Sequence, residues 1–459
     1  MTSLLLRHIT TLVTMDTHRR EISDGAIFAN NGWIEKVGTT NELPSEADSI
    51  IDLSGHIVLP GLINTHHHLS QTLTRAIPEA QNADLFKWLN ALYPLWAKLT
   101  PLDLFLATQL GLAELALSGC TTTLDHPYIF PNGCRLDDEI EAARIVGLRF
   151  HAARGSMSMG ESQGGLPIDQ LVETEAHILK DSQRLIETYH DSLPGATIRI
   201  VLAPCAPTSV SSDLLRETAK LGRSYKVFLH THLAETVGEQ EFCMELNKKR
   251  LLEYLEELGW IGKDVSYAHA VHMNAKEIER LANTGTTIAH CPSSNMRLGS
   301  GIAPIIKYLE KGIPVGLGVD GSASNDSSHM LSEVRQAMLL ARLNTAIISD
   351  KSSSQNLLTA RQAIELATIG GAKVLGREDI GSLEPGKCAD FIAIHMNRIE
   401  YSGALHDPVA ATVLCTPVMV DYNFVHGQPI VKEGKMVTVD LGKLVESHNK
   451  AAFRLANGI

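Results

Sequence analysis

The chain has 459 residues, with 40 Lys and Arg against 52 Asp and Glu, so its formal net charge is −12. This acidic surplus argues against a nucleic-acid or anionic-membrane partner, while the 44% hydrophobic share is that of a folded globular protein. Seven cysteines without a C-x-x-C pair argue against a disulfide framework, and no apolar run is long enough to span a membrane, so we expect a cytoplasmic protein.

Both ends of the chain show the pattern of short antiparallel strands. Residues 3–60 alternate apolar and polar positions around turn residues at 23–25 and 30–32. The same pattern returns after residue 377, in 381–394 and 425–428. We expect residues 1–60 and 378–459 to form one composite β-sandwich domain.

The middle of the chain, residues 61–377, repeats a β-branched run followed by a longer amphipathic stretch. The spacing of these runs leaves room for the crossover of a dozen or more residues that parallel strands require. Eight such runs predict a (β/α)8 barrel, whose chemistry lies at the carboxyl ends of its strands. The first run begins at His56, and the predicted strand ends are His66, His126, Arg154, Cys205, His232, His269, His290 and Asp320.

The first motif is the run His66, His67 and His68 at the end of the first predicted strand. Side chains two residues apart on a strand share a face, so His66 and His68 can reach one metal ion while His67 points elsewhere. A chance histidine run on a loop is the alternative.

The second motif is His232 with Glu235. An imidazole from His232 can complete three nitrogen ligands, and Glu235 can lie above the metal as a proton shuttle. His230 shares the parity of His232, so which of the two binds metal stays open. Glu235 can alternatively open the next helix, where the helix dipole favours a carboxylate.

Two further strand ends carry His269 and Asp320. Closure of the barrel brings the eighth strand beside the first, and therefore Asp320 beside the first motif. His269 can hydrogen-bond a reacting oxygen or the substrate.

The order H-x-H, H-x-x-E, His and Asp resembles the amidohydrolase superfamily in its mononuclear zinc deaminase branch, as do segments 289–304 and 318–325. Two-metal members often carry a modified Lys on a central strand, but 148–154 and 198–205 contain none, which favours a single ion. The resemblance implies one zinc ion, or iron, with these roles: metal ligands His66, His68, His232 and Asp320, and catalytic residues Glu235, His269 and Asp320.

Segments 64–76, 85–89, 92–96 and 154–167 resemble the 8-oxoguanine deaminase subgroup of that branch. This resemblance implies deamination of 8-oxoguanine at C2 to urate and ammonia by a homo-oligomer. Isoxanthopterin or guanine deamination, hydroxytriazine aminohydrolysis, triazine dechlorination and adenosine-thioether deamination remain alternatives. A catalytically silent binding protein of the same fold is another, although such relatives lack metal ligands.

Three residues are candidates for substrate contacts. The Gln71 amide can pair with a purine edge, the Trp88 indole can cover its face, and Arg154 can meet a substrate carbonyl. As alternatives, Trp88 is a core residue, Gln71 caps local backbone and Arg154 pairs with a structural carboxylate. The loop 161–167, rich in Gly and polar residues, can cover the site.

Overall fold

The structure is a computed structural model that describes residues 3–348 and 357–458. The amino-terminal segment forms five strands of an outer sheet. The long strands β1 and β2 pair antiparallel, and their register shifts between Leu6 and Ile9. The bounds of the five strands are β1 Ser3–Val13, β2 Glu21–Asn30, β3 Trp33–Thr39, β4 Ser49–Asp52 and β5 His56–Pro60.

The middle of the chain forms the predicted (β/α)8 barrel, which is confirmed. All neighbouring strands are parallel, and the pair Leu317 and Asn64 closes the ring between the last strand and the first. The strands are β6 Leu62–Asn64, β7 Cys120–Asp125, β8 Arg149–Ser156, β9 Ile198–Pro204, β10 Phe228–Leu233, β11 Val265–His269, β12 Thr287–His290 and β13 Val315–Leu317.

The first barrel strand is shorter than expected. The predicted run from His56 is divided, because His56–Pro60 pairs with β1 in the outer sheet and the barrel begins only at Leu62. Gly61 lies at the crossing, where a β-carbon would overlap the side chain of Thr121. Glycine therefore lets the chain pass from one sheet to the other against β7.

The carboxyl-terminal segment completes the outer sheet. Its strands are β14 Phe391–His395, β15 Tyr422–Val425, β16 Gln428–Lys432 and β17 Lys435–Met436. Strand β14 pairs antiparallel with β5, so the sheet order is β17-β16-β15-β14-β5-β1-β2-β3, with β4 beside β1. Both chain ends thus share one nine-stranded sheet, and Arg149 of β8 joins it to the barrel through Asp390 at 2.6 Å.

Helices cover the outside of the barrel. Every residue of β7, β8, β11 and β12 is buried, as expected for parallel strands enclosed on both faces. Within the described parts of the chain, no helix is both long and apolar enough to span a membrane. The helices are α1 Leu85–Trp96, α2 Pro101–Leu117, α3 Leu136–Val146, α4 Glu175–Tyr189, α5 Ser212–Tyr225, α6 Val237–Asn247, α7 Leu251–Glu257, α8 Ala275–Thr284, α9 Pro292–Arg297, α10 Ile305–Glu310, α11 Met330–Ile348, α12 Ala360–Glu365, α13 Gly371–Val374, α14 Pro408–Leu414 and α15 Leu441–Asn457.

Candidate active site

The four predicted metal ligands meet at the carboxyl end of the barrel. His66 and His68 follow β6, His232 lies in β10 and Asp320 follows β13. His68 Nε2 lies 3.2 Å from His232 Nε2, and Asp320 Oδ1 lies 3.3 Å from Nε2 of both His66 and His68. Three imidazole nitrogens and one carboxylate oxygen therefore face a common point, which is a donor set suited to zinc.

The hydrogen bonds of these imidazoles leave their Nε2 nitrogens directed at that point. His66 Nε2 is buried and has no hydrogen-bond partner. Burial lowers the pKa of all three imidazoles, which favours the neutral form that a metal needs. On the opposite ring edge, the Nδ1 atoms of His66, His68 and His232 contact, respectively, His230 Nε2 at 2.9 Å, the carbonyl of His126 at 2.7 Å and the carbonyl of Cys205 at 2.5 Å.

Glu235 and His269 lie side by side next to this donor set. Glu235 Oε2 is 3.6 Å from His269 Nε2, and Ser300 Oγ donates a hydrogen bond to Glu235 Oε1 at 3.0 Å. Burial raises the pKa of Glu235 to about 7. This carboxyl is therefore poised to gain and lose a proton near neutral pH.

His269 is fixed from its other ring nitrogen, because Nδ1 contacts Asn295 Oδ1 at 2.9 Å. Its Nε2 also lies 3.8 Å from Asp320 Oδ2. Burial opposes the charged form, but the carboxylates of Glu235 and Asp320 outweigh it and raise the pKa of His269. Burial opposes ionisation of Asp320, but its contact with His66 and the charges of His269, His66 and His68 hold the pKa of Asp320 well below its usual range.

The backbone at two strand ends adopts the left-handed region. His269 has a φ of 68° and Asp320 a φ of 61°. For residues other than glycine such conformations cost about 1–3 kcal/mol and persist where the surrounding structure enforces them. Here they turn both side chains towards the donor set as the strands end.

A cavity of about 650 Å³, counting its opening to solvent, lies above these residues. The structure places Gln71 and Trp88 in its wall, and Leu166 and Pro167 of the predicted covering loop also line it. Trp88 Nε1 donates to the carbonyl of Ala323 at 2.9 Å, which fixes the indole.

Other lining residues were not singled out from the sequence. Tyr128 lies three residues beyond the end of β7. Its closeness to a strand end could therefore have identified it from the sequence as a residue of the barrel mouth. Tyr93, Glu239 and Leu298 come from helices and from the loop after α9, whose distance from the site a single sequence does not show.

The cavity is acidic. Its charged lining residues among those the structure describes are Glu235, Glu239 and Asp320, with no Lys or Arg. The described part of this wall therefore offers no Lys or Arg to pair with a phosphate group. The aromatic rings of Phe86, Trp88, Tyr93 and Tyr128 instead suit a flat, uncharged ring.

The structure does not bring Arg154 to this cavity. Its Nη2 donates to Glu173 Oε1 at 2.8 Å and its Nε to Asp181 Oδ2 at 2.8 Å, while the guanidinium stacks over Phe130. These partners line a separate depression beside α4. Arg154 therefore lies apart from the other predicted site residues, with its guanidinium hydrogen-bonded within the protein to Glu173 and Asp181.

Comparison with known proteins agrees with this geometry. The amidohydrolase family model matches residues 57–436. The 8-oxoguanine deaminase of Pseudomonas aeruginosa is 45% identical over 440 residues, which cover 95% of this chain and 96% of that protein. The hydroxydechloroatrazine ethylaminohydrolase of Pseudomonas sp. strain ADP is 34% identical, covering 100% and 97%. The atrazine chlorohydrolase of Arthrobacter aurescens TC1, crystallised with zinc, superposes with a TM-score of 0.92 at 34% identity, covering 98% and 100%.

Proposed function

Because the chain belongs to the amidohydrolase family, we propose that it is a zinc-dependent deaminase that converts 8-oxoguanine to urate and ammonia. The two relatives named as a deaminase and an aminohydrolase hydrolyse carbon–nitrogen bonds, and the protein is a hydrolase of that kind. The observation that carries the proposal is the meeting of Glu235, His269 and Asp320 with three metal-ready imidazoles under one cavity. A catalytically silent protein would have no need of this arrangement.

The residues present fit one zinc ion. The unpartnered Nε2 of His66, with Nε2 of His68 and His232 and a carboxylate oxygen of Asp320, would hold it. When bound, zinc lowers the pKa of a coordinated water to about 7 and so supplies a nucleophile at neutral pH.

The chain's own carboxyl groups then handle the protons. Asp320 accepts a proton from the attacking water through the oxygen that faces His269. Glu235 gives a proton to the ring nitrogen beside the attacked carbon, which makes that carbon more electrophilic. The ionised Glu235 next takes the proton of the new hydroxyl and passes it to the amino group, so that the carbonyl forms, the carbon–nitrogen bond breaks and ammonia leaves. The proton held by Asp320 then restores the acid form of Glu235.

His269 and Ser300 support these steps by position. His269 Nε2 faces Glu235 and Asp320, so its N–H can donate to the oxygen that forms on the attacked carbon. Ser300 Oγ keeps Glu235 Oε1 occupied, which leaves Oε2 as the oxygen nearer His269. The two residues thereby fix where the shuttled proton is delivered.

Two observations support 8-oxoguanine as the ring system. The most extensive identity given above, 45% over nearly the full length of both chains, is to a protein named for that activity. The cavity wall combines aromatic faces with carboxylates and carries no Lys or Arg, which favours an uncharged free base over a nucleotide. Gln71 and Trp88 are the proposed contacts, through the edge and the face of the base.

An ammonia-release panel tests the proposal. Zinc-loaded protein is assayed on 8-oxoguanine, guanine, isoxanthopterin, a hydroxytriazine and an adenosine thioether. We expect the highest kcat/KM on 8-oxoguanine. A higher value on another ring would replace the substrate and keep the reaction class, whereas no ammonia from any ring would overturn the class.

A further inference from the structure

His230 is a buried histidine of β10 for which the proposed mechanism has no role. We propose that it is a positioning residue that fixes the tautomer and ring orientation of the metal ligand His66, and that Ser266 fixes His230 in turn. This inference rests on the proposed metal site and concerns how that site is held.

The three side chains form a continuous hydrogen-bonded chain from the metal site to the backbone. His66 Nδ1 lies 2.9 Å from His230 Nε2, and His230 Nδ1 lies 2.8 Å from Ser266 Oγ. Ser266 Oγ donates to the carbonyl of Leu229 at 3.5 Å. His66 and His230 are fully buried and Ser266 nearly so, so bulk solvent does not reach these contacts.

The last acceptor, although it lies 3.5 Å from Ser266 Oγ, favours one direction for the protons in this chain. The Leu229 carbonyl can only accept a hydrogen bond, so the Ser266 hydroxyl donates to it and accepts from His230 Nδ1–H. His230 Nε2 is then a lone pair, which accepts the hydrogen of His66 Nδ1. The lone pair of His66 is therefore left on Nε2, the atom that faces His68 and Asp320.

The opposite direction is incompatible with a metal ligand. If Ser266 donated to His230, then His230 Nε2–H would donate to His66 Nδ1, and the hydrogen of His66 would move to Nε2. That hydrogen would point at the place where zinc is expected. The order of groups therefore favours the tautomer of His66 that can bind a metal.

The two histidines of β10 have different roles in this arrangement. His232 directs Nε2 to within 3.2 Å of His68 Nε2, whereas His230 contacts His66 from the far edge of its ring. The spacing of two residues places both on one face of the strand, but only His232 reaches the proposed metal. His230 acts through His66.

His66, His126 and His230 also place three nitrogens within 4.8 Å of one another behind the site. The His126 ring is held by Nε2, which contacts the carbonyl of Ala203 at 2.7 Å. Because His66 Nδ1 carries a hydrogen when Nε2 binds a metal, this recess is not a second metal site. In this recess, His230 Nε2 accepts the hydrogen bond from His66 Nδ1–H.

The test measures zinc affinity of the full-length protein by competition with a chromophoric chelator, with no substrate present. His230→Leu removes the acceptor, and we expect the zinc dissociation constant to rise about 10- to 100-fold, as for other partners of metal-binding histidines. His230→Gln offers an amide oxygen to the same hydrogen and is expected to restore most of the affinity. Ser266→Ala frees the far side of the imidazole and is expected to weaken binding by less than His230→Leu.

His151→Leu is the matched control. His151 is a buried imidazole of barrel strand β8 whose ring contacts Arg377, away from the proposed ligands. Its replacement alters the core by the same change of side chain, and zinc affinity is expected to stay unchanged. Thermal unfolding of the metal-free forms separates loss of fold from loss of metal.

Cobalt gives a second readout. The visible spectrum of the Co²⁺-loaded protein reports ligand geometry, and we expect His230→Leu to shift it while His230→Gln keeps it close to that of the unsubstituted protein. A folded His230→Leu with unchanged zinc affinity and spectrum would overturn the positioning role. Equal losses in the Leu and Gln variants would overturn it as well, because the acceptor would then not matter.

If His230→Leu does not fold, Ser266→Ala and His230→Gln decide the question. Weaker zinc binding by Ser266→Ala supports the chain of hydrogen bonds, and unchanged binding contradicts it. Failure of the proposed function is a separate result: an unsubstituted protein that binds zinc but leaves 8-oxoguanine intact refutes the substrate and not the role of His230.

Discussion

Glu235 Oε2 and His269 Nε2 lie 3.6 Å apart at the mouth of the barrel, although the residues come from the ends of different strands. Glu235 is held from its other oxygen by Ser300, and His269 from its other ring nitrogen by Asn295. Each side chain is therefore fixed from behind and free towards its neighbour. Both groups can therefore transfer or donate a proton to a substrate that lies against the pair.

Replacing Glu235 by Gln should abolish turnover and leave the metal in place. The amide is nearly isosteric but cannot exchange a proton, so kcat should fall at least about 100-fold. Zinc content measured by elemental analysis should stay near that of the unsubstituted protein, because Glu235 is not among the proposed ligands. Near-normal ammonia release by Glu235→Gln would remove the residue from the mechanism.

Removal of the metal should abolish activity and lower stability together. A dissociable ligand stabilises the folded state by about 2.7 kcal/mol at a concentration 100 times its dissociation constant. Dialysis against a chelator should therefore stop ammonia release and lower the Tm in calorimetry, and added zinc should restore both. A chelated, zinc-free protein with full activity would contradict the assigned metal site.

Arg154→Met should reduce stability and spare substrate binding. The guanidinium is buried between Glu173 and Asp181, so its loss leaves two neighbouring carboxylates without a counter-charge. Loss of one partner of a buried ion pair costs about 3–5 kcal/mol. Urea unfolding should show a loss of this order, while KM of the folded enzyme stays unchanged. A large rise in KM at constant stability would return Arg154 to the substrate site.

Gly321→Ala should disturb the site through Gln71. A β-carbon at Gly321 would overlap the amide of Gln71, next to Asp320. We expect kcat/KM to fall about tenfold or more, because a small displacement of a positioned group is costly. Thermal unfolding should show a lower Tm for Gly321→Ala, and adding Gln71→Ala should relieve the overlap and raise the Tm again. A Tm unaffected by either change would show that the two residues are not in contact.

The buried pair Asp125 and Glu139 should make stability fall as pH rises. Burial raises the pKa of both carboxyls, and the charge of Asp125 further raises that of Glu139. Near neutral pH the folded pair thus keeps a proton that the unfolded chain has released. The free energy of unfolding therefore falls as the pH rises from about 4 to about 7.

The variant Glu139→Gln isolates this pair. The introduced amide can donate to the Asp125 carboxylate, which Glu139 contacts, without a shared proton. Unfolding free energies measured by urea from pH 5 to pH 7 should decline less steeply for Glu139→Gln than for the unsubstituted protein. Parallel pH profiles would show that the pair does not share a proton.

The sequence was sufficient to predict the barrel and the meeting of its motifs. Eight runs with polar ends define parallel strands, and parallel strands bring those ends to one rim, so His66 and Asp320 become neighbours across 254 positions of sequence. The different roles of His230 and His232 did not follow from the spacing, and only the family resemblance pointed to His232 as the ligand. The spacing of two residues places both histidines on one face of β10, and only the local geometry of the strand decides which one reaches His68.

Arg154 shows that position at a strand end does not by itself predict where a side chain points. Its position at a strand end suggested a role at the barrel mouth, but its partners Glu173 and Asp181 lie 19 and 27 residues further along the chain. Whether a strand-end side chain turns into the cavity or towards the neighbouring helices depends on such distant contacts. Backbone strain at His269 and Asp320 was equally invisible, since neither residue type requires a left-handed conformation.

The most direct test of the central claim is the product balance of the zinc-loaded protein on 8-oxoguanine. Chromatography and an ammonia assay on one reaction mixture should give urate and ammonia in equal amounts, with neither formed by Glu235→Gln or by the zinc-free protein. Intact 8-oxoguanine in a mixture where the same preparation releases ammonia from another heterocycle would contradict the proposed substrate.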